Sequence, residues 1–145
     1  MLTGAEILEQ IDKGNIQITP FNEKQINPNS YNLTLGDQLF VYTPLVLDSA
    51  KVNAGRSFRI PKEGYVLVPG CFYLAETVEY TVTENFIPQI SGRSSIGRLG
   101  LGIHMNSGLG APGYKGRWSL GLTCVVPLRI YPGMQIGQIY YFPIE

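Results

Sequence analysis

The hydrophobic pattern at the start of the chain predicts one short α-helix. Thr3 and Glu6 have the spacing of a capping box, in which each side chain binds the other residue's backbone N–H. Apolar residues from Ile7 to Ile11 then fall on one helical face, because 3.6 residues complete a turn. Gly14 can end the helix, since glycine tolerates the left-handed conformation that follows many helices.

After this helix, short runs rich in valine, isoleucine, tyrosine and phenylalanine alternate with turn residues. The runs are YNLTL, QLFVY, SFRI, YVLV, FYLAETVEYTV and QIYYF, and the turns include NPNS, VPG, APG and YPG. With 17 glycines and 10 prolines in 145 residues, this pattern is typical of an all-β sandwich or barrel. The length suits one domain and no repeat or linker interrupts it, so residues 1–145 are predicted to form a single domain.

Composition and charge exclude several classes of partner. Lysine plus arginine equal aspartate plus glutamate at 11 each, so no overall field attracts a nucleic acid polymer or an anionic membrane. Cys71 and Cys124 are too few and too far apart for a disulfide framework or a zinc site, and one histidine argues further against a metal centre. The chain has no targeting segment and no apolar run near the roughly 20 residues that cross a bilayer, so we expect a cytoplasmic protein.

The segment SGRSSIGRLGLGIH at positions 91–104 contains residue types that bind anionic oxygen atoms. Gly92 permits close backbone approach, and Arg93 and Arg98 carry rigid guanidinium forks suited to phosphate. Ser94 and Ser95 add hydroxyl donors. On the residues alone, the commoner alternative is a polar turn in which Arg98 pairs with a neighbouring carboxylate.

Three segments of the chain resemble the dUTPase and dCTP deaminase superfamily, and especially its deaminase branch. They are INPNSYNLTLGDQLFVY at 26–42, SGRSSIGRLGL at 91–101 and PLRIYPGMQIGQIYYF at 127–142, in the family's order and spacing from about residue 16 onward. The resemblance implies an all-β fold, a distorted jelly-roll β-barrel of the dUTPase-like type with a short N-terminal helix. It also implies a homotrimer with nucleotide sites between subunits.

The resemblance assigns roles to the residues of the phosphate motif. Arg93, Ser94 and Ser95 would contact the triphosphate of the nucleotide. Arg98 would lie beside the reacting pyrimidine or its phosphates, and Gln138 would lie near the phosphates.

The segment SGLGAPGYKGRWSLGL at 107–122 differs from the family at positions where family enzymes have catalytic residues. Ser107, at its start, is placed by the resemblance among the nucleotide-binding residues. The family usually has an aspartate at the position of Ala111, and its deaminases have their acid–base glutamate at the position of Gly121. A branched apolar residue is usual at Gly110, and the family's early aspartate is replaced by Asn32.

These replacements predict a binding protein rather than an enzyme. A positioned carboxylate contributes about two to four orders of magnitude to proton transfer, and glycine and alanine contribute none. Because Gly110, Ala111 and Gly121 are also smaller, we expect an enlarged site that binds or sequesters a bulkier phosphate-bearing nucleotide or nucleotide signal between subunits. No cofactor is expected to be required, and magnesium is expected only on the bound nucleotide's phosphates.

The alternative is a divergent but active dCTP deaminase or dUTPase with a carboxylate from elsewhere. Glu76, Glu79 and Glu84 are the nearest carboxylates in sequence, although Glu76 and Glu79 are expected to be ordinary strand residues. A third reading is a structural trimer with a vestigial site. The sequence ends at Glu145, just after QIYYF, where family enzymes generally continue into a flexible arm, so we expect no lid.

Four other residues have side chains that could take part in binding or catalysis. His104 follows an apolar run, so a hydrogen-bonded core residue is expected there. Trp118 is expected to stack on a nucleobase or to lie at a subunit contact, and Tyr114 is expected to pack. Cys124 has no basic neighbour in its segment, which predicts an unreactive thiol.

Overall fold

The computed structural model describes residues 1–104 and 109–145, and most of them belong to short strands. The helices are α1 (Gly4–Asp12) and α2 (Ser94–Gly97), with a 3-10 turn at Glu23–Gln25. The strands are β1 (Ile16–Thr19), β2 (Tyr31–Thr34), β3 (Gln38–Tyr42), β4 (Gly55–Arg59), β5 (Tyr65–Leu67), β6 (Tyr73–Glu76), β7 (Tyr80–Thr83), β8 (Phe86–Gly92), β9 (Leu101–His104), β10 (Lys115–Gly116), β11 (Ser119–Cys124), β12 (Leu128–Ile130) and β13 (Gln135–Pro143).

All the strand pairs are antiparallel, and they form four sheets around a shared core among the described residues. The largest sheet has the order β4-β3-β6-β11-β9, and a three-stranded sheet has the order β2-β13-β8. The two smaller sheets are β1-β7-β10 and β12-β5. This arrangement is consistent with the jelly-roll architecture, and it confirms the all-β class predicted from the alternating runs.

The first helix forms as its sequence predicts. The Thr3 hydroxyl accepts a hydrogen bond from the backbone N–H of Glu6 at 3.2 Å, and the Glu6 carboxylate accepts one from the backbone N–H of Thr3 at 2.7 Å. Ile7 is fully buried, and Gly14 has a φ of +80° just after the helix. Because its cap uses local partners and its apolar face is buried, α1 closes one end of the core. Neither of the helices in residues 1–104 and 109–145 is long and apolar enough to cross a membrane.

The five-stranded sheet has one face in the core and one face open. Leu120, Leu122 and Cys124 of β11 are buried in the core, as expected for a period of two, while Gly121 between them is covered on the other face by the Phe72 ring. Side chains directly opposite each other in an antiparallel pair share a face. The open face, as the pairing register defines it, carries Gln38, Phe40, Leu74, Glu76, His104, Ser119, Gly121 and Thr123.

Candidate functional site

The phosphate motif lines a cleft of about 280 Å³ at the end of β8. Arg93 follows β8 directly and precedes α2, so the strand fixes its backbone while its side chain remains half-buried. Ser94 and Ser95 begin α2 and are exposed. The cleft is lined by Asn27, Pro28, Asn32, Arg93, Ser94, Ser95 and Gln138. The structure therefore brings together four of the residues that the resemblance assigned to phosphate.

A chain of neutral amides holds the floor of this cleft. The Asn27 side-chain amide donates to the Asn32 carbonyl oxygen at 2.6 Å, and the Asn32 amide donates to the Gln135 carbonyl oxygen at 2.8 Å. The Ser30 hydroxyl donates to the Gln138 side chain at 2.8 Å, and Gln138 donates to a backbone carbonyl at 3.1 Å. These bonds tie β2, β8 and β13 together and fix the polar groups before any ligand arrives.

The charge of this cleft favours an anion. The Arg93 guanidinium donates to the backbone carbonyl of Gln135 at 3.3 Å, and it forms no ion pair with a carboxylate in residues 1–104 and 109–145. None of the described residues that line the cleft is acidic. The arginine charge is therefore not neutralised within the cleft, which is the arrangement that phosphate recognition needs.

The structure does not bring Arg98, another member of the predicted set, into this cleft. Arg98 follows the far end of α2, is exposed, and does not line the cleft within one chain. Its predicted contact with the pyrimidine or its phosphates stays a prediction. Ser107 lies outside the described residues.

Gly121 lies on the open face of the five-stranded sheet, between Leu74 of β6 and His104 of β9. Its surroundings are closely packed rather than empty. A Cβ atom at this position would lie 2.6 and 2.8 Å from two atoms of the Phe72 ring and 3.0 Å from the His104 backbone oxygen. The Phe72 ring thus fills the volume that a side chain at position 121 would occupy.

Gly110 is filled in the same way by an aromatic neighbour. A Cβ atom there would lie 2.6 Å from the Trp118 ring and 2.9 Å from Pro88. The prediction that the small residues at these positions enlarge the site is therefore wrong. Each missing side chain is compensated by a ring, because a packed protein leaves few voids larger than water.

Ala111 lies in an exposed turn that leads into β10. Its carbonyl accepts a hydrogen bond from the Tyr114 backbone N–H at 3.1 Å, and Gly113 in the same turn has a φ of +83°. The turn is anchored to β7, since the Gly113 N–H donates to the Thr83 carbonyl at 2.6 Å. A methyl group at this place can orient no water molecule, whereas an aspartate could.

The aromatic residues near these positions belong to the fold of one chain. Trp118 is buried, donates from its indole N–H to the Thr81 hydroxyl at 2.9 Å, and packs on Tyr114 with ring centroids 4.3 Å apart. The packing role of Tyr114 is confirmed, while nucleobase stacking and a subunit contact stay predictions for Trp118. The sequence did not indicate the burial of Trp118, because that burial depends on neighbours on β7 that are distant along the chain.

His104 is exposed, so its predicted place in the core is wrong. Its Nε2 atom lies 2.8 Å from the Thr123 hydroxyl, and the predicted hydrogen bond is therefore present. The Phe72 and His104 rings meet edge to face with centroids 6.1 Å apart. Phe72, which no sequence signal singled out, is thus the residue that covers Gly121 on the open face.

The glutamates near the motif have different environments. Glu79 is buried, and its carboxylate accepts hydrogen bonds from the Thr34 backbone N–H at 2.5 Å and from the Thr34 hydroxyl at 2.6 Å. Burial raises the pKa of Glu79, although the bonds from Thr34 act in the opposite direction. Glu76 is exposed on the open face, and its carboxylate has no hydrogen-bond or ion-pair partner in residues 1–104 and 109–145.

The two cysteines are free, and they differ in exposure. Cys124 is buried in the five-stranded sheet, while Cys71 is exposed. Burial raises the pKa of the Cys124 thiol, which disfavours the reactive thiolate. An unreactive thiol is what the sequence predicted at this position.

Two solved structures have folds similar to that of this chain. The crystal structure of 2'-deoxycytidine 5'-triphosphate deaminase from Agrobacterium tumefaciens matches with a TM-score of 0.77 at 19% identity, over 99% of this chain and 48% of that chain. The chain therefore spans about half the length of that protein. A dUTPase of Staphylococcus bacteriophage 80alpha matches with a TM-score of 0.54 at 14% identity, over 90% of both chains.

Sequence comparison then identifies the branch. Residues 1–144 match the family model described as dCTP deaminase-like, and the chain belongs to this family. The "dCTP deaminase, dUMP-forming" of Clostridium acetobutylicum is 51% identical over 99% of this chain and 83% of that protein. The protein of the same name from Hathewaya histolytica is 50% identical over 100% of this chain and 84% of its own length. The superfamily predicted from the three quoted segments is thus confirmed.

Proposed function

We propose that the protein binds deoxycytidine triphosphate, with the phosphates held in the cleft around Arg93. The observation that supports this most directly is the cleft itself, where an arginine without a carboxylate partner meets hydroxyl and amide donors. The nucleotide is proposed from the relatives, since proteins 50–51% identical across nearly the whole chain are named dCTP deaminase. The bulkier ligand predicted from the sequence has lost its basis, because Phe72 and Trp118 fill the space that it needed.

Deamination of dCTP is the activity that we propose for this site. The names of these relatives favour the active enzyme, which the sequence alone offered as its alternative, over a pure binding protein. Their names add that the product is dUMP, which requires loss of pyrophosphate as well as ammonia. An active dCTP deaminase, which the sequence offered as the alternative, is therefore the first candidate function.

Binding without turnover is the second candidate, and Gly121 is the observation that favours it. The resemblance places the acid–base glutamate of deaminases at this position, and glycine has no group that can move a proton. Ala111 removes a second carboxylate from the same region. A protein with the phosphate cleft but without any proton-transfer group would hold its nucleotide unchanged.

We propose a homotrimer in which each site is shared between two copies. The phosphate cleft belongs to the β2-β13-β8 sheet, whereas Gly121 lies on the open face of the five-stranded sheet. One nucleotide would then place its phosphates on one copy and its base on the open face of the next. Exposed apolar side chains available for such contacts include Leu45, Val46, Val52 and Val125.

Magnesium is proposed to enter only with the nucleotide. In the part of the chain that the structure describes, no group of three or more histidine, cysteine, aspartate or glutamate residues is placed to hold a metal. Triphosphates carry magnesium on their own oxygen atoms, where the ion neutralises charge. The cleft would therefore contact the ion through the phosphates.

One incubation separates the two candidates. The purified protein is mixed with dCTP, and ammonia, pyrophosphate and the nucleotide itself are measured, the nucleotide by mass spectrometry before and after heat release. Conversion of dCTP to dUMP at about one turnover per second or faster, the low end of ordinary enzyme rates, supports the deaminase. Stoichiometric recovery of unchanged dCTP supports binding without turnover, and no bound nucleotide at all would contradict both.

A further inference from the structure

We propose that Glu76 supplies the proton-transferring carboxylate that is absent at Gly121. This inference rests on the proposed deaminase function. It follows from the position of Glu76 on the open face, from the packing that closes position 121 to a side chain, and from a small polar cleft beside Glu76.

The pairing of β6 with β11 places Glu76 beside Gly121. Gly121 is directly opposite Leu74, and Glu76 is directly opposite Ser119, two residues further along the same pair of strands. Residues at such diagonal positions share a face and lie roughly 7–8 Å apart, within reach of a long side chain. A glutamate at 76 can therefore direct its carboxylate toward the space in front of Gly121.

The other diagonal neighbour of Gly121 is Phe72, whose ring occupies the space that a side chain at position 121 would need. Phe72 precedes β6, and its ring lies 2.6 Å from the place of a Cβ atom on Gly121. A glutamate at 121 would have to displace this ring and would also press on the His104 backbone oxygen at 3.0 Å. The aromatic ring occupies one side of Gly121, and the free carboxylate of Glu76 lies on the other side.

A cleft of about 240 Å³ beside Glu76 has the size and the polarity for a pyrimidine base. Clefts for drug-sized ligands measure roughly 300–1,000 Å³, so this one suits a single ring. Phe40 and Leu74 supply apolar surface, and the polar side chains that line it are Gln38, Ser57, Glu76 and Ser119. Amide and hydroxyl groups of this kind can bind the ring carbonyl and nitrogen atoms of cytosine.

The other carboxylates near the motif are less suitable. Glu79 is buried and accepts hydrogen bonds from Thr34, so it cannot reach a ligand. Glu84 follows β7, which belongs to a different sheet from β11. Asp37 lies 3.9 Å from the Arg59 guanidinium and does not line the cleft of 240 Å³.

The proposed step is a balanced hydrolysis of the cytosine amine. The Glu76 carboxylate takes a proton from water, and the resulting hydroxide oxygen forms a bond to C4 of the ring. The protonated Glu76 delivers that proton to N3 of the ring, then takes the proton of the new C4 hydroxyl and passes it to the amino nitrogen, and the C4–N bond breaks to release ammonia. The ring keeps a C4 carbonyl, and Glu76 returns to its ionised form.

The test compares dCTP turnover by the full-length wild type with turnover by Glu76→Gln, which removes the basic group at nearly constant size. We expect kcat to fall by about 100-fold or more, the usual contribution of a positioned acid–base group, with little change in the Kd for dCTP. Glu84→Gln is the matched control, because Glu84 is also exposed but lies on a different sheet, and it should keep the wild-type rate.

Two further readouts separate proton transfer from a structural role. The pH dependence of kcat that the proton-transferring group gives the wild type should be lost in Glu76→Gln. Added formate should restore part of the activity to Glu76→Ala, since a small carboxylic acid can fill the space of the missing group. A Glu76→Gln protein that turns over dCTP within about threefold of wild type overturns the role of Glu76 and leaves the deaminase proposal intact. A wild type that binds dCTP without turnover overturns both.

Discussion

At the scale of single residues, the free space in the site depends on which neighbouring side chain packs against each glycine. The sequence shows that Gly110 and Gly121 are small, and the structure shows that Trp118 and Phe72 occupy the volumes beside them. A small residue at these two positions therefore creates no cavity. The size of a residue alone does not predict the size of the site.

Gly121→Ala should destabilise the protein, because its methyl group would lie 2.6 Å from the Phe72 ring. Overpacking of this kind costs about 1–3 kcal/mol of the free energy of unfolding, which denaturant titration can measure. Gly97→Ala is the control, since a Cβ atom there meets nothing within 4 Å. In a Phe72→Ala background the same Gly121→Ala change should cost little, and an unchanged penalty would mean that the ring is not its source.

Arg93→Ala should weaken dCTP binding by about 1.5–3 kcal/mol, the usual contribution of a hydrogen bond to a charged group. This corresponds to a Kd increase of roughly 10- to 150-fold, measurable by calorimetry. Lys62→Ala removes an exposed positive charge from a turn that is not part of the cleft, and should leave the Kd unchanged. Equal effects of both changes would indicate non-specific attraction of the anion.

At the scale of elements, buried polar groups join strands that the core alone would not fix. The Glu79 carboxylate binds Thr34 of β2, and the Thr77 hydroxyl donates to the Glu79 carbonyl at 2.9 Å. The Trp118 backbone N–H in turn donates to the Thr77 hydroxyl at 3.0 Å. This connected set positions β11, and with it the open face, relative to the sheet that carries the phosphate cleft.

Stability should fall as the pH rises through the titration of Glu79. Burial raises the pKa of this carboxyl above its ordinary value of about 4.3, so the folded protein binds the proton more tightly than the unfolded chain does. The free energy of unfolding should therefore decrease from near pH 4.3 up to the raised pKa and level off above it. Denaturant titrations at several pH values should show this slope in wild type and in Glu84→Gln, but not in Glu79→Gln. A slope that persists in Glu79→Gln assigns the effect to another group.

At the scale of the whole molecule, we propose that the site is shared between copies of the chain. Its phosphate cleft and its open face lie on different sheets, so the shared arrangement explains how one nucleotide reaches both. Light scattering at micromolar concentration is expected to give three times the mass of the chain. A monomer at that concentration would contradict the trimer and the shared site together.

Complementation between two inactive variants tests the sharing directly. Arg93→Ala impairs binding in the cleft and Glu76→Gln impairs turnover at the open face, so at a dCTP concentration well below the Kd of Arg93→Ala each homotrimer should have little activity by itself. Random mixing in one trimer should restore roughly a quarter of the sites, since these sites combine the intact surfaces of two different copies. Assays of co-expressed variants measure this recovery, and activity no higher than the sum of the separate variants would show that each site lies within one chain.

The sequence by itself determined the class of the fold and the phosphate motif of this protein. The alternating runs predicted the strands, and Thr3 and Glu6 predicted the cap of α1, because these features depend on neighbours close along the chain. The segment around Arg93 was also recognisable, since its residues follow one another directly and form one side of the cleft.

The tertiary structure decided which side chains pack against Gly110 and Gly121, where the sequence shows only a small residue. Phe72, in the segment that leads into β6, covers Gly121 with its ring. Glu76 lies on the same face of the sheet, two residues beyond Leu74, which is directly opposite Gly121. Such relations depend on the register between β6 and β11, which are more than 40 residues apart along the chain. For the same reason His104 is exposed and Trp118 is buried, since burial depends on long-range packing rather than on the neighbouring residues in the sequence.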